Sequence, residues 1–246
     1  MEWRTALGCA LVFFSGIAVA HTDQLGDSGS VTVTKLKLDP DHKIVGDLAR
    51  DGYAIGGVDF DAGTVDVLTR TGDEGLALKF QGYAVKSLHT IDTTIAPDTN
   101  YATPEKVEQR LAAYHAQFPA LTHVESIGKS VENRDIWAIK ISTTPESRDP
   151  AKPVILFNGM HHAREVMAAE VPLDTIDYLL TNYGTDPAVS KWVDNNDIWV
   201  VPMLNVDGNN KVWTGNSMWR KNARGTFGVD INRNYPYAWE IGRAHV

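Results

Sequence analysis

Two short apolar runs, separated by helical patterns, constrain the fold of this chain more than any other feature. The first run, PVILFNG, covers residues 153–159, and the second, DIWVVPML, covers residues 197–204. Runs of this length with few polar residues are typical of strands that are buried on both faces of a sheet. Helical patterns extend from the first run to about residue 183 and begin again at Asp186-Pro187. We therefore predict an α/β fold, with a mixed, largely parallel sheet and helices on both faces.

The region before the first run adds one helix and two strands to this prediction. Thr103 and Pro104 are typical of a helix N-terminus, and Pro119 ends the helical pattern. Residues 123–142 alternate between apolar and polar side chains, which predicts two strands joined by a turn at residues 132–134.

An N-terminal segment has a different pattern with an internal echo. The peptide DGYAI at residues 51–55 recurs as QGYAV at residues 81–85. The predicted order is strand 30–38, helix 40–51, strand 53–58, strand 64–69, helix 73–81 and strand 83–88. This β-α-β-β-α-β order is the split unit of ferredoxin-like α+β sandwiches. We assign residues 21–88 to this small domain and the polar residues 89–101 to a linker.

The first twenty residues are typical of a secretory signal peptide. Arg4 precedes a short apolar core, LGCALVFFSGIAVA, which ends in small residues before His21. A core of this length is too short to cross a bilayer comfortably. We therefore expect an exported protein, extracellular or periplasmic, without a stable membrane anchor. The only cysteine of the chain, Cys9, lies in this segment, so the exported part would contain no disulfide.

Charge excludes one class of partner. The chain has a net charge of −8, and its positive residues are scattered along the sequence. Domains that bind nucleic acid concentrate lysine and arginine in a basic patch or stripe. We therefore expect no nucleic-acid partner for this chain.

The last residues form an unusual tail. The peptide IGRAHV at residues 241–246 can be encoded by ATC GGA AGA GCA CAC GTC, which matches a common sequencing-library adapter. The two adapter bases that precede this stretch also fit a codon for Glu240. We therefore predict that residues 240–246 are a non-native tail and that the natural sequence is represented to about Trp239.

The peptide FNGMHHARE at residues 157–165 carries the strongest candidate for a metal site. His162 and Glu165 are three residues apart at a predicted strand-to-helix turn, so both side chains can face one point. A catalytic zinc ion takes three protein ligands, imidazole or carboxylate in most cases, and keeps one position open for water. The motif HExxH, in which the glutamate is the base, is absent, so Glu165 would be a ligand. A surface histidine beside a glutamate favoured by the helix dipole explains the same spacing.

A second cluster of polar residues lies in MWRKNARGTFGVDINRNYP, residues 218–236. Arg220, Arg224 and Arg233 can each hold a carboxylate through two parallel hydrogen bonds, and Asn232 adds a further donor. An arginine near a zinc-bound carbonyl can also stabilise an oxyanion. The alternative interpretation of the charge pattern alone is a solvated basic loop.

Together these motifs make the chain similar to the zinc carboxypeptidases of the carboxypeptidase A type, the metallocarboxypeptidase family M14. The matching motifs are Gly159-Met160, His162-Ala163-Arg164-Glu165, Asn205-Val206-Asp207-Gly208, Trp219-Arg220-Lys221 and Gly228-Val229-Asp230-Ile231-Asn232-Arg233-Asn234. Similarity runs from about Tyr101 to Tyr237. The resemblance implies that residues 102–239 form the N-terminal half of a zinc-exopeptidase-like domain. The ferredoxin-like segment resembles the propeptide of the same family.

The resemblance also implies a metal site with one zinc ion. His162 and Glu165 would be zinc ligands, and Asp230 would be the carboxylate that orients the histidine. His161 is out of register with Glu165 and would be a neighbour of the site, not a ligand.

For the substrate, the resemblance implies binding by cationic and amide side chains. Arg220 would polarise the scissile carbonyl and stabilise the oxyanion. Asn232 and Arg233 would hold the terminal carboxylate of the substrate, and Arg164 would contact the substrate further from the scissile bond.

Two residues of the family pattern have no counterpart in the chain. The family has a third zinc ligand, a histidine well downstream, and a general-base glutamate near the end of the domain. The other histidines are His21, His42, His89, His115 and His123, which precede the site, and His245 in the predicted tail. We therefore expect a C-terminally truncated chain that is inactive as given.

The sequence thus predicts the precursor of a secreted zinc carboxypeptidase. The intact enzyme would remove C-terminal amino acids from peptides and proteins by means of a zinc-activated water. Two alternatives remain open: a related zinc deacylase of acylated amino acids, and a non-catalytic module that binds peptide C-termini through Asn232 and Arg233.

Overall fold

The computed structural model of the chain describes residues 29–226 and 228–236. The predicted signal peptide at residues 1–20 and the predicted tail at residues 240–246 lie outside these ranges. The elements are β1 (Ser30–Lys37), α1 (Lys43–Arg50), β2 (Ala54–Asp59), β3 (Thr64–Thr69), α2 (Gly72–Phe80), β4 (Val85–Asp92), α3 (Pro104–Gln117), β5 (Thr122–Lys129), β6 (Asp135–Ile141), β7 (Val154–Asn158), α4 (Met167–Asn182), α5 (Pro187–Asn195), β8 (Asp197–Val201), α6 (Val206–Thr214) and a 3₁₀ turn (Ile231–Arg233). Within the described ranges, every helix is too short or too polar to span a membrane.

The N-terminal unit is a four-stranded sheet with two helices. Its strands lie in the order β2-β3-β1-β4, and all three pairings are antiparallel. The element order β-α-β-β-α-β is the one predicted from the sequence. Completely buried side chains from both helices and from the sheet form its core: Leu36, Leu48, Val65, Val67 and Leu78. Strand β4 continues to Asp92, so the first four residues of the predicted linker, 89–92, belong to the sheet.

The second sheet has the strand order β5-β6-β8-β7. Strand β8 pairs in parallel with β7, whereas the β5–β6 and β6–β8 pairings are antiparallel. The predicted mixed sheet is therefore confirmed, but the prediction that it is largely parallel is wrong for the described residues. Part of the reason is the short turn between β5 and β6, because a connection of that length joins only antiparallel neighbours.

Helices α3, α4 and α5 share one hydrophobic core with β6 and β8. The inward positions predicted for α4 are confirmed, because the side chains on that face are at most 2% exposed. They are Ala169, Leu173, Ile176 and Leu180, and they pack with Leu111, Val189, Val193, Ile198 and Val200.

Strand β7 departs from the prediction that both apolar runs are buried. It lies at one end of the sheet order, with β8 as its hydrogen-bonded neighbour among the described strands. Its four apolar residues are Val154, Ile155, Leu156 and Phe157, with exposed fractions of 51%, 37%, 59% and 43%. Within the described residues the prediction of burial on both faces is therefore wrong for β7, because no neighbour in this part of the chain covers its apolar side chains.

The N-terminal unit and the residue that follows its last strand, Thr93, contact the start of the arginine-rich loop (the arginine loop), residues 217–236. The carbonyl oxygen of Thr93 accepts hydrogen bonds from the backbone nitrogen and the hydroxyl of Ser217, at 2.9 and 3.0 Å. Met218 packs against a small cluster that includes Val31 and Leu68. The residues that contact the N-terminal unit, Ser217 and Met218, therefore lie shortly before Arg220 in the sequence.

Candidate active site

The loop that follows β7 lies beside the loop that follows β8. The backbone nitrogen of Gly159 donates to the Val201 carbonyl at 3.0 Å, and Leu204 donates to the Gly159 carbonyl at 3.1 Å. A Cβ atom on Gly159 would lie 2.3 Å from the Ala168 carbonyl, so the close approach requires glycine. The carboxyl ends of parallel strands meet at one edge of a sheet. The two loops therefore meet there, on a backbone that their own hydrogen bonds fix.

His162 is held between two carboxylates. Its Nδ1 atom lies 3.0 Å from Oε1 of Glu165, and its Nε2 atom lies 3.2 Å from Oδ1 of Asp230. The side chain of His162 is 9% exposed and that of Asp230 is 13% exposed, whereas Glu165 is half exposed. The structure thus brings together the two predicted metal ligands and the carboxylate predicted to orient the histidine.

The pKa values of these three groups reflect their contacts more than their burial. Burial lowers the pKa of His162, but hydrogen bonds with Asp230 and Glu165 raise it above its ordinary value. Burial raises the pKa of Asp230, but the hydrogen bond with His162 and the charge of Arg220 bring it down to about 2. The pKa of Glu165 is likewise lowered, against burial, by its hydrogen bond with His162. Both carboxylates are therefore ionised at neutral pH, which suits Glu165 to bind a cation and Asp230 to accept a hydrogen bond from His162.

Arg220 reaches the same carboxylates from the arginine-rich loop. Its Nη1 atom lies 3.2 Å from Oε1 of Glu165, and its Nε atom lies 3.7 Å from Oδ2 of Asp230. The Arg220 carbonyl accepts a hydrogen bond from the backbone nitrogen of Ala163 at 2.8 Å. The guanidinium group therefore lies beside the His162–Glu165 pair.

Asp230 also begins the short 3₁₀ turn that carries Asn232. Its Oδ1 atom accepts a hydrogen bond from the Asn232 backbone nitrogen at 2.9 Å. Asn232 is exposed and lines an open cleft of about 310 Å³ together with His162 and Glu165. Phe157 from β7 contributes to the apolar wall of the same cleft. The turn thus places an exposed amide at the edge of a cleft that contains the candidate metal ligands.

Two predicted substrate-binding arginines are less directly placed. Arg233 is exposed, and its Nη1 atom donates to the carbonyl of Asn232 at 3.1 Å. Arg164 is partly buried, and its Nη1 atom donates to the Met218 carbonyl at 3.4 Å. Burial and the neighbouring charge of Arg220 lower the pKa of Arg164 to about 10. Neither arginine is among the described residues that line the cleft.

His161 contacts a residue that the sequence did not single out. Its Nε2 atom lies 2.6 Å from the hydroxyl of Tyr235, and the two rings are 5.8 Å apart between centroids. Burial and the nearby charge of His162 lower the pKa of His161. This contact links the loop after β7 to the end of the arginine-rich loop. No sequence pattern predicts it, because 74 residues separate the two partners.

The candidate metal ligands form an incomplete donor set within the described part of the chain. In residues 29–226 and 228–236, no group of three or more His, Cys, Asp or Glu side chains is placed to hold a metal ion. The imidazole of His162 and the carboxylate of Glu165 are both groups that ligate zinc in proteins. Asp230 contacts Nε2 of His162, so Nδ1 of the same ring faces Glu165. The two side chains therefore fit part of a zinc site.

Comparisons with known proteins show what the chain is similar to. A model of the peptidase M14 family, described as zinc carboxypeptidase, matches residues 107–245, which is more than half of the chain. Human carboxypeptidase D is 36% identical over 126 residues, which cover 51% of this chain and 9% of that protein. A zinc carboxypeptidase from Saccharothrix mutabilis subsp. capreolus is 35% identical over 146 residues, which cover 57% of this chain and 33% of that protein. The chain therefore spans a third or less of the length of either relative.

A solved structure agrees with these similarities at the level of the fold. The crystal structure of carboxypeptidase A from Helicoverpa armigera superimposes with a TM-score of 0.67 and 26% sequence identity. The match covers 87% of this chain and 59% of that chain, so it extends well beyond the residues that the family model matches.

Proposed function

Because the chain belongs to the zinc carboxypeptidase family, we propose that it is part of an exported metallocarboxypeptidase that hydrolyses the C-terminal peptide bond of peptides and proteins. The observation that carries the proposal is the arrangement around His162, with Glu165 on Nδ1 and Asp230 on Nε2. In this proposal residues 102–239 are the N-terminal half of the catalytic domain.

His162 Nδ1 and Glu165 would hold one zinc ion. When bound, zinc supplies Lewis acidity, which polarises a carbonyl and lowers the pKa of a water molecule. Asp230 accepts the proton of Nε2, so it fixes the orientation of the imidazole and leaves Nδ1 free to ligate. A third protein ligand and a general base would come from residues outside the described ranges.

Arg220 and the turn at Asn232 would bind the substrate. The guanidinium of Arg220 lies 3.2 Å from Glu165, so it is within reach of a carbonyl oxygen beside the metal ligands. Asn232 lies in the wall of the cleft, and the exposed Arg233 follows it directly, so the terminal carboxylate of a peptide can meet an amide and a guanidinium at one place. Arg164 would contact the substrate further from the scissile bond.

The N-terminal unit would be the propeptide of this enzyme, preceded by the signal peptide at residues 1–20. In support, the unit contacts Ser217 and Met218, the segment that leads into Arg220. Proteolytic processing would then occur between about residues 88 and 101.

The proposal is tested with the full reading frame recovered from genomic DNA. The enzyme is matured and assayed for release of C-terminal amino acids from a blocked dipeptide, with an acylated amino acid as the competing substrate class. We expect dipeptide hydrolysis that a chelator abolishes, and one zinc ion per molecule by elemental analysis.

Adjacent histidines provide the matched control for the metal. His162→Ala and Glu165→Ala are expected to lower zinc content well below one ion per molecule, whereas His161→Ala keeps it at one. Retention of full zinc content and chelator-sensitive turnover by the His162→Ala/Glu165→Ala double variant would overturn the proposal.

A further inference from the structure

The motif Asn205-Val206-Asp207-Gly208, at the first turn of α6, joins two loops of the site. They are the metal-ligand loop, residues 159–165, and the arginine loop, residues 217–236. Asn205, which caps this helix, is 2% exposed. Its Nδ2 atom donates to the carbonyl of His161 at 2.9 Å and lies 3.1 Å from the Lys221 carbonyl and 3.3 Å from the Arg220 carbonyl. Its Oδ1 atom accepts a hydrogen bond from the backbone nitrogen of Gly208 at 3.0 Å.

These four partners require an amide at position 205. Carbonyl oxygens can only accept hydrogen bonds, so they select the NH₂ group, and the N–H of Gly208 selects the oxygen. An aspartate would place a negative charge against three carbonyl oxygens, and an alanine would leave buried carbonyls without that donor. Asn205 thus contacts the metal-ligand loop, the arginine loop and the helix together.

Helix α6 is itself anchored, so Asn205 has a firm base. Asp207 is 2% exposed and accepts hydrogen bonds from the hydroxyl of Ser130 at 2.7 Å, the backbone of Glu132 at 2.9 Å and Nη1 of Arg134 at 2.8 Å. These bonds attach the first turn of the helix to the turn between β5 and β6. The helix therefore provides a fixed point against which both loops are held.

Close approach of the arginine loop to this helix depends on Gly208. A Cβ atom there would lie 2.4 Å from the Lys221 carbonyl and 2.5 Å from Oδ1 of Asn205. On the other side, the amide of Asn209, a completely buried residue, donates to the Ala163 carbonyl at 3.1 Å. The metal-ligand loop and the arginine loop thus both touch the first turn of α6.

We infer that Asn205 is a positioning residue that sets the separation between the metal ligands and Arg220, an inference that rests on the proposed function for its catalytic consequence. Its amide contacts the carbonyl of His161, the residue before the metal ligand His162, and the carbonyl of Arg220. Asn205 therefore holds these two backbone segments next to each other. A displacement of about 1 Å between reacting groups can cost on the order of 100-fold in rate. Arg220 acts on the scissile carbonyl, so the loss falls on kcat more than on KM.

The tie between the loops is tested first in the 246-residue chain by amide hydrogen exchange. In Asn205→Ala we expect exchange at least about tenfold faster at Ala163, whose N–H donates to the Arg220 carbonyl. Exchange in β6 and β8 stays unchanged. Asn210→Ala, on the same helix but outside these contacts, leaves all of these rates unchanged. The inference would be overturned if Ala163 in the Asn205→Ala variant exchanged at the wild-type rate. It would also be overturned if the exchange rates increased equally throughout the chain.

The catalytic consequence is tested in the genomic-frame enzyme with a double-mutant cycle. Asn205→Ala is expected to lower kcat about 100-fold with unchanged zinc content, and to have less than about threefold further effect when Arg220 is already alanine. Val193→Ala, a buried change in α5, shows what a loss of stability alone does. Additive effects of Asn205→Ala and Arg220→Ala would overturn the inference. Absence of carboxypeptidase activity in the wild-type enzyme would instead overturn the proposed function and leave the exchange result to decide the role of Asn205.

Discussion

Strands β7 and β8 are adjacent and equal in length, yet their side chains have opposite environments. They pair in parallel, with Ile155 opposite Ile198 and Phe157 opposite Val200. In β8, Ile198 and Val200 are 2% and 0% exposed, whereas in β7 Ile155 and Phe157 are 37% and 43% exposed. Among the described strands, β8 has neighbours on both sides and β7 has one. An apolar run therefore predicts a strand without telling which place in the sheet it occupies.

The loops that follow the two strands also have different roles. The loop after the exposed strand carries His162 and Glu165, while the loop after the buried strand leads to Asn205 and the anchored helix. Backbone hydrogen bonds from Gly159 and Leu204 join the two loops directly after the strands. The metal-ligand loop therefore depends on β8 and its neighbours for its position, since β7 is the less buried of the two.

The sharpest way to break this comparison is to place the same charge on both strands. Ile198→Asp is expected to lower the free energy of unfolding by about 4 kcal/mol, because it leaves an unpaired carboxylate in the core. Ile155→Asp, directly opposite, is expected to cost about 1 kcal/mol, because its side chain can reach water. Urea denaturation of the chain, followed by tryptophan fluorescence, measures both values. Equal losses would show that β7 is as buried as β8.

A second test concerns the buried ion pair at the start of β8. Asp197 is completely buried, lies 3.1 Å from Nζ of Lys140 and accepts a hydrogen bond from the hydroxyl of Ser142 at 2.8 Å. Asp197→Ala is expected to lower the free energy of unfolding by about 3 kcal/mol, because it leaves the buried lysine without its counter-ion. Asp47→Ala, which removes the exposed partner of Arg50, is the control and is expected to cost less than about 0.5 kcal/mol.

The same carboxylate gives a pH dependence with a definite sign. Burial raises the pKa of Asp197, but hydrogen bonds from Ser142 and Lys140 outweigh it and hold the pKa below its ordinary value. A lowered pKa in the folded state contributes stability that is fully present above the unfolded-state pKa, about 3.9, and is lost as the pH falls through the folded-state value. Asp197→Asn should therefore show a smaller loss of stability between about pH 5 and pH 2 than the wild type. If the free energy of unfolding fell by the same amount in both proteins over this pH range, the result would contradict this assignment.

The contrast between β7 and β8 also shows what the sequence could and could not predict. The position of His162 and Glu165 at one edge of the sheet follows from the strand that precedes them and from their local motif, whereas Asn232 was marked by the family resemblance. Exposure of Phe157 could not be predicted, because it depends on which strand lies beside β7. The contacts of Asp230 with His162 and of Asn205 with the His161 carbonyl join residues that are 68 and 44 apart in the chain. The family resemblance marked these residues, but the fold alone shows what Asn205 touches.

The smallest expected effect concerns association of the chain through β7. The strand contains no charged residue, and a flat apolar edge presents unpaired backbone groups to another chain. Leu156 is its most exposed apolar side chain, at 59%, so Leu156→Lys places a charge where it disrupts pairing without entering the core. We expect this change to weaken self-association of the chain about tenfold, or about 1.4 kcal/mol, in sedimentation experiments over a range of concentrations. Leu76→Lys makes the same substitution at a 45% exposed position on α2 and should leave association unchanged. If both variants weaken association equally, the cause is added charge and not the edge of β7, and the distinction between the two strands would not extend to their behaviour in solution.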